Sequence, residues 1–201
     1  MSPLQRIAMG MVIVVGFAFF PADPSPSWHR YDALPDPLGW LLVLSGVFAL
    51  ARADATFASS RWLAAIAAAV SVPMWFPQVN HQLDASGAWF ASLPQIAFCL
   101  VLARETGLLG MRQSPPDGYV AKRFGLLVWG FALAGVLPVL AIGGDVGQLV
   151  EPTQLLAWLV NVAFIYLLFR VHRREWLGGP GPLEIDPAPS AGKREGRPPS
   201  S

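Results

Sequence analysis

Six apolar stretches, each separated from the next by a polar cluster, constrain this chain more than any other feature. They occupy about residues 4–20, 38–53, 62–76, 88–103, 124–142 and 153–169, each 15 to 19 residues long. A hydrocarbon layer ~30 Å thick takes roughly 17–25 helical residues to cross. Flanking residues must therefore complete the crossings, and the spans read as 4–20, 38–58, 59–77, 86–103, 123–142 and 152–170. Lipid offers no water to backbone amides, so such segments satisfy their own hydrogen bonds as helices. The expected fold is all-α, an integral membrane bundle of six transmembrane helices within residues 1–177. Composition agrees, with 54% hydrophobic and 13% charged residues and a mean hydropathy of +0.47. Soluble chains carry about a quarter charged residues, and a water-soluble coat cannot be built from so few.

The first stretch follows Arg6 and has the outline of a secretory signal. Cleavage would fall near Phe19-Phe20-Pro21-Ala22, where bulky Phe replaces the small residues a signal peptidase accepts. An uncleaved span is expected. Ser2-Pro3-Leu4-Gln5 reads as its capping box, with Ser2 as N-cap, Pro3 first in the helix and Gln5 third.

Charge sets the expected threading. Thirteen of the 14 Lys and Arg fall on one side, with Arg6, Arg52, Arg61, Arg104, Arg112, Lys122, Arg123, Arg170, Arg173 and Arg174 near the spans. Only Arg30 falls on the other. The positive-inside rule then puts both termini in the cytoplasm. The formal net charge of +1 is a cancellation: thirteen basic against seven acidic residues inside, one against six outside. It gives no sign of a nucleic-acid partner. The lipid bilayer is the partner this pattern implies, and Lys193, Arg194 and Arg197 of the tail, with Arg170, Arg173 and Arg174 at the membrane edge, suit anionic lipid at the cytoplasmic face. Ordinary positive-inside charge accounts for the same basic residues. Residues 178–201 hold five Gly and six Pro and are expected to form a disordered cytoplasmic tail.

Trp28, Trp62, Trp75, Trp89 and Trp176 fall near span ends, where an indole is favoured. Trp129 and Trp158 lie deeper and are expected to pack between helices. The third span is rich in Ala, which suits the centre of a bundle. Cys99, the single cysteine, excludes an intrachain disulfide or a thiolate zinc site and reads as a small buried hydrophobe. Three hairpins of similar length, each opened and closed by arginine, hint at an internal repeat. Gln95 and Asn161 occupy equal depths in spans four and six, but Val43 stands at that depth in span two.

Soluble-enzyme signatures are missing: no Gly-x-Gly-x-x-Gly, no Walker lysine loop, no Gly-x-Ser-x-Gly and no His-Glu-x-x-His. Gly143-Gly144-Asp145-Val146-Gly147 reads as a turn between spans. The first outer loop offers His29, Asp32 and Asp36 as metal ligands, with His81 and Asp84 from the next outer loop. Asp36 has a simpler reading as the N-cap of span two, with Pro37 first in the helix. Tyr31-Asp32-Ala33-Leu34-Pro35-Asp36-Pro37-Leu38-Gly39-Trp40 resembles the LPD-x-(L/I/V)-G-(W/Y) lead-in to a span found in small uncharacterised multi-pass membrane proteins of bacteria. The motif residues are Pro35, Asp36, Pro37, Gly39 and Trp40. The Ala, Gly, Pro and Arg usage looks actinobacterial. The resemblance implies a membrane location and carries no activity, cofactor or catalytic residue with it.

On this reading no span core contains Asp, Glu, Lys, Arg or His, which weighs against a pump driven through a buried charge. Three functions stay open. A non-enzymatic structural, assembly or interaction protein, with a membrane partner or as a homo-oligomer, fits the spans and short loops. A small-solute permease would use Gln95 and Asn161 along a polar path. An outer-face metal-dependent enzyme would use His29, Asp32 and Asp36.

Overall fold

Helix α1 (Pro3–Val15) starts as its capping box requires, the Gln5 amide donating to Ser2 Oγ at 3.2 Å. This is a computed structural model in which residues 1–20, 31–144 and 146–181 are described. His29, Arg30, Trp28, Asp145 and residues 182–201 lie outside them. The helix stops at Val15, five residues before the expected end of the first span. Val12-Ile13-Val14-Val15 is a β-branched run of weak helix propensity. Beyond it the Ala18 amide donates to Asp32 Oδ1 at 2.9 Å, and the Ala33 amide to the Ala18 carbonyl at 2.8 Å. Strand β1 (Phe19–Phe20) then pairs antiparallel with β2 (Tyr31–Asp32), Phe19 opposite Asp32. A partner fourteen residues downstream has taken over the backbone that hydropathy assigned to the helix. At 13 residues, α1 is about 20 Å long, short of a full crossing.

Helix α2 (Asp36–Ala53) follows Pro35, its N-cap, with Pro37 second in the helix. Asp36 is thus the first helical residue and makes no capping bond, a correction to its expected role. Helix α2 ends at Ala53, with Asp54 as its C-cap, and does not continue to 58. Asp54 Oδ1 accepts the Thr56 amide at 2.7 Å and caps a 3-10 turn, Ala55–Phe57. These bonds hold the Asp54 carboxyl below its ordinary range. Helix α3 (Ala58–Met74) leads to the short α4 (Pro77–Asn80) and to α5 (Ala85–Arg112). At 28 residues, α5 runs nine past the expected end at 103. Helix α6 (Gly118–Pro138) begins five residues early, capped by Asp117, and finishes in a π-helical turn, Val139–Gly143. Helix α7 (Val150–Val171) closes the series.

The six longer helices form an up-down ring in chain order, α7 returning to α1. Helices α2, α3, α5, α6 and α7 are each long and apolar enough to cross a membrane. Close approach of α1 and α2 depends on glycine. A Cβ on Gly10 would lie 2.5 Å from the Gly39 carbonyl oxygen, and one on Gly46 would lie 2.5 Å from that of Pro3. Helix α3 buries the stripe Ser60, Ala64, Ala67 and Ser71, and its ring neighbours are α2 and α5. Its small residues therefore serve a side contact, and α3 is not the bundle centre.

Large rings fill the interior. Trp40 meets Phe98 edge-on at 5.4 Å, and Phe131 meets Phe164 likewise at 5.4 Å. Cys99 is buried beside Phe98. The outward faces are apolar as well, with Leu41, Ile66, Phe90, Leu126 and Val136 exposed. Trp129 and Trp158 belong to this face, 72% and 51% exposed, so they do not pack between helices as expected. Apolar rings on an outward face suit helices long and apolar enough to cross a membrane. All Lys and Arg among the described residues fall at one end of the ring, where the beginnings of α1, α3 and α6 meet the ends of α2, α5 and α7. There Leu177 is buried, and Gly178 at φ 72° turns the chain against Pro3. The expected tail boundary at 178 moves accordingly, since residues 178–181 pack on the bundle.

Candidate functional site

The opposite end of the ring carries a cleft of about 150 Å³ between α2, α3 and α5. Asp36 lines it from the first turn of α2, Ser71 from α3, and Ser92 and Gln95 from α5. Trp40 and Met74 supply apolar wall. Two sequence candidates, Asp36 and Gln95, thus share one small space. Asn161 does not line it. On α7, Asn161 Nδ2 donates to the Ala157 carbonyl at 2.8 Å, while its buried Oδ1 has no partner among the described residues. A second cleft, about 300 Å³ between α5, α6 and α7, is lined by Trp89, Ser92 and Thr153 but by neither amide. The two amides at equal depth therefore face different surroundings.

The metal set is not assembled among the described residues. His29 lies outside them. Asp32 spends one oxygen on two backbone donors, Ala18 and Leu34, both at 2.9 Å. Its carbonyl also accepts the Trp75 indole at 3.2 Å. Asp32 is a loop organiser. No group of three or more His, Cys, Asp or Glu is placed to hold a metal ion among the described residues. The motif around Pro35 has a packing role: Gly39 admits α1, and Trp40, 2% exposed, fills the core.

At the basic end, Glu105 was missed from sequence. It is 5% exposed on α5 and accepts a hydrogen bond from Ser60 Oγ of α3 at 2.5 Å. Beside it Thr106 Oγ1 is buried without a partner among the described residues. Glu105 follows Phe98 and Leu102 at helical spacing and precedes Leu109, all on the buried stripe. That periodicity was the available signal. The polar pair Arg104-Glu105 sets the expected end at 103, and α5 continues beyond it. Further round, Arg170, Arg173, Arg174, Tyr119 and Trp176 line a hollow of about 670 Å³. Arg174 pairs with Asp117 at 3.1 Å, and Arg173 Nε donates to the Gly181 carbonyl at 2.9 Å.

An apolar-surfaced helical bundle with one basic end is the class these features define. Protein-family models, curated proteins and solved structures give no match to the chain.

Proposed function

We propose that this chain is a multi-pass protein of a bacterial plasma membrane, of the kind carrying the Pro-Asp-Pro-Leu-Gly-Trp lead-in. In this reading it crosses six times with both termini cytoplasmic, and its role is non-enzymatic interaction or assembly. The observation that carries the interaction role is the filled interior. Trp40, Phe98, Phe131 and Phe164 occupy the middle of the ring, and Gln95 and Asn161 line no common cleft among those above. The outward apolar side chains suit lipid and helices of a partner or a second copy. The shortness of α1 is compatible with a sixth crossing, because residues 16–20 continue extended from Gly16 at roughly 3.3 Å per residue. The basic end supports cytoplasmic termini, and Arg170, Arg173 and Arg174 suit anionic headgroups at that face.

Reporter fusions after Ser114 and after Asp145 test the threading, with a cytoplasmic signal expected from the first and an external signal from the second. The same signal from both refutes it. The role is tested by reconstitution. Purified protein alone in liposomes should pass no small solute, whereas a flux abolished by Gln95→Leu and Asn161→Leu together would replace this reading with a permease.

A further inference from the structure

The cleft between α2, α3 and α5 holds chemistry that packing leaves unexplained. Its volume of about 150 Å³ is well above what a single ordered water needs. Both of its hydroxyl protons are engaged within their own helices, Ser71 Oγ donating to the Ala68 carbonyl at 2.8 Å and Ser92 Oγ to that of Trp89 at 2.7 Å. Each hydroxyl therefore has only acceptor capacity left for an occupant. Asp36 makes no capping bond, and the one salt bridge among the described residues is Arg174 with Asp117. The Gln95 side-chain amide adds a fourth acceptor oxygen together with two N–H donors. No described Lys or Arg stands at this end of the ring.

One carboxylate, three neutral acceptors and an apolar wall define the occupant. It must bring positive charge and several N–H donors in a small volume. No group of three or more His, Cys, Asp or Glu is placed to hold a metal ion among the described residues, and one carboxylate with neutral oxygens is a weak set for a divalent cation. A primary ammonium carries three donors, and a short alkyl stub on it matches Trp40, Val70 and Met74 in the wall. An indole beside a cation adds attraction. We propose that the Asp36 cleft binds a small primary alkylammonium group, carried either by a free amine or by an ethanolamine phospholipid headgroup. The inference needs neither the sidedness nor the role proposed above.

Titration of the full chain in detergent with ethylammonium chloride at constant ionic strength, followed by calorimetry, tests it. Saturable binding is expected, with none for ethanol, the neutral counterpart. Asp36→Asn should weaken it by at least ~10-fold, because the charge-assisted bonds are lost. Ser92→Ala, a milder change, should weaken it by ~3-fold, on the scale of one neutral hydrogen bond. Asp54→Asn, at the other end of the ring, should leave it unchanged. Repeating the titration in nanodiscs separates the sources. Weaker binding in ethanolamine lipid than in choline lipid identifies the headgroup as occupant; equal binding identifies the free amine. Heat that never saturates, saturation that survives both Asp36→Asn and Ser92→Ala, or displacement by stoichiometric magnesium overturns the proposal.

Discussion

Glycine at residue scale decides how closely α1 and α2 approach. Gly10 and Gly46 each face a backbone oxygen where a Cβ would come within 2.5 Å, and backbone cannot step aside as a side-chain tip can. Gly10→Ala or Gly46→Ala should cost ~1–3 kcal/mol through overpacking. Gly125→Ala, with nothing within 4 Å, should instead gain ~0.5–1 kcal/mol from helix propensity. Unfolding midpoints in detergent check both signs, and a common sign for the three variants would refute the close-approach account. Glu105 makes a second prediction at this scale. Glu105→Ala leaves the Ser60 hydroxyl buried without its acceptor, a loss of ~1–3 kcal/mol. Glu105→Gln keeps a carbonyl in reach and should lose less. Equal losses from the two would show that the Ser60 bond contributes nothing. The buried stripe through Phe98, Leu102 and Leu109 made Glu105 legible in principle. Its partner was not, since Ser60 lies 45 positions away and only the ring brings α3 beside α5.

Helix ends at the element scale followed local chemistry wherever that chemistry was local. Ser2, Asp54, Asp84 and Asp117 each accept an amide two or three residues ahead, and the Ser2 cap was readable directly. Among the ends that moved, the close of α2 and the start of α6 follow the local caps Asp54 and Asp117, and the others have non-local causes. Asp32 takes the Ala18 amide and ends the first apolar stretch early. Gly107 and Gly110 face Phe124 and Val120, so α5 and α6 pack onward past the charges that seemed to mark their limits. Asp117 joins these effects, capping α6 and pairing with Arg174. Asp117→Ala should cost ~1–2 kcal/mol, mostly through the cap. Arg174→Ala removes only a pair whose arginine is half exposed, worth ~0–1 kcal/mol. Guanidinium-free thermal melts of both variants measure the difference, and an arginine loss equal to the aspartate loss would assign the stability to the ion pair.

The whole molecule turns apolar side chains both inward and outward. Trp129 projects from mid-α6 at 72% exposure, while Trp40 is 2% exposed. Single-tryptophan variants in vesicles with brominated acyl chains should show strong quenching for Trp129 and little for Trp40. Equal quenching would mean that the ring opens or that its surface does not face lipid. The ring also bears on the repeat. Its hairpins pair helices of 13 and 18, 17 and 28, and 21 and 22 residues, so three equal units are not expressed in the fold.

Sequence by itself determined the all-helical class, the lipid-compatible surface, the gathering of basic residues at alternate helix ends and the cap that starts α1. These follow from hydropathy and from bonds spanning a few residues. Only the tertiary structure decided where α1 stops, that Glu105 is buried against Ser60, that Trp129 and Trp158 face outward, and that Asp36 and Gln95 share a cleft from which Asn161 is absent. Each of those depends on which helix stands beside which. Helices of similar hydropathy can be ordered around a ring in several ways, and the glycine contacts and interior rings that select one order join residues far apart in the chain.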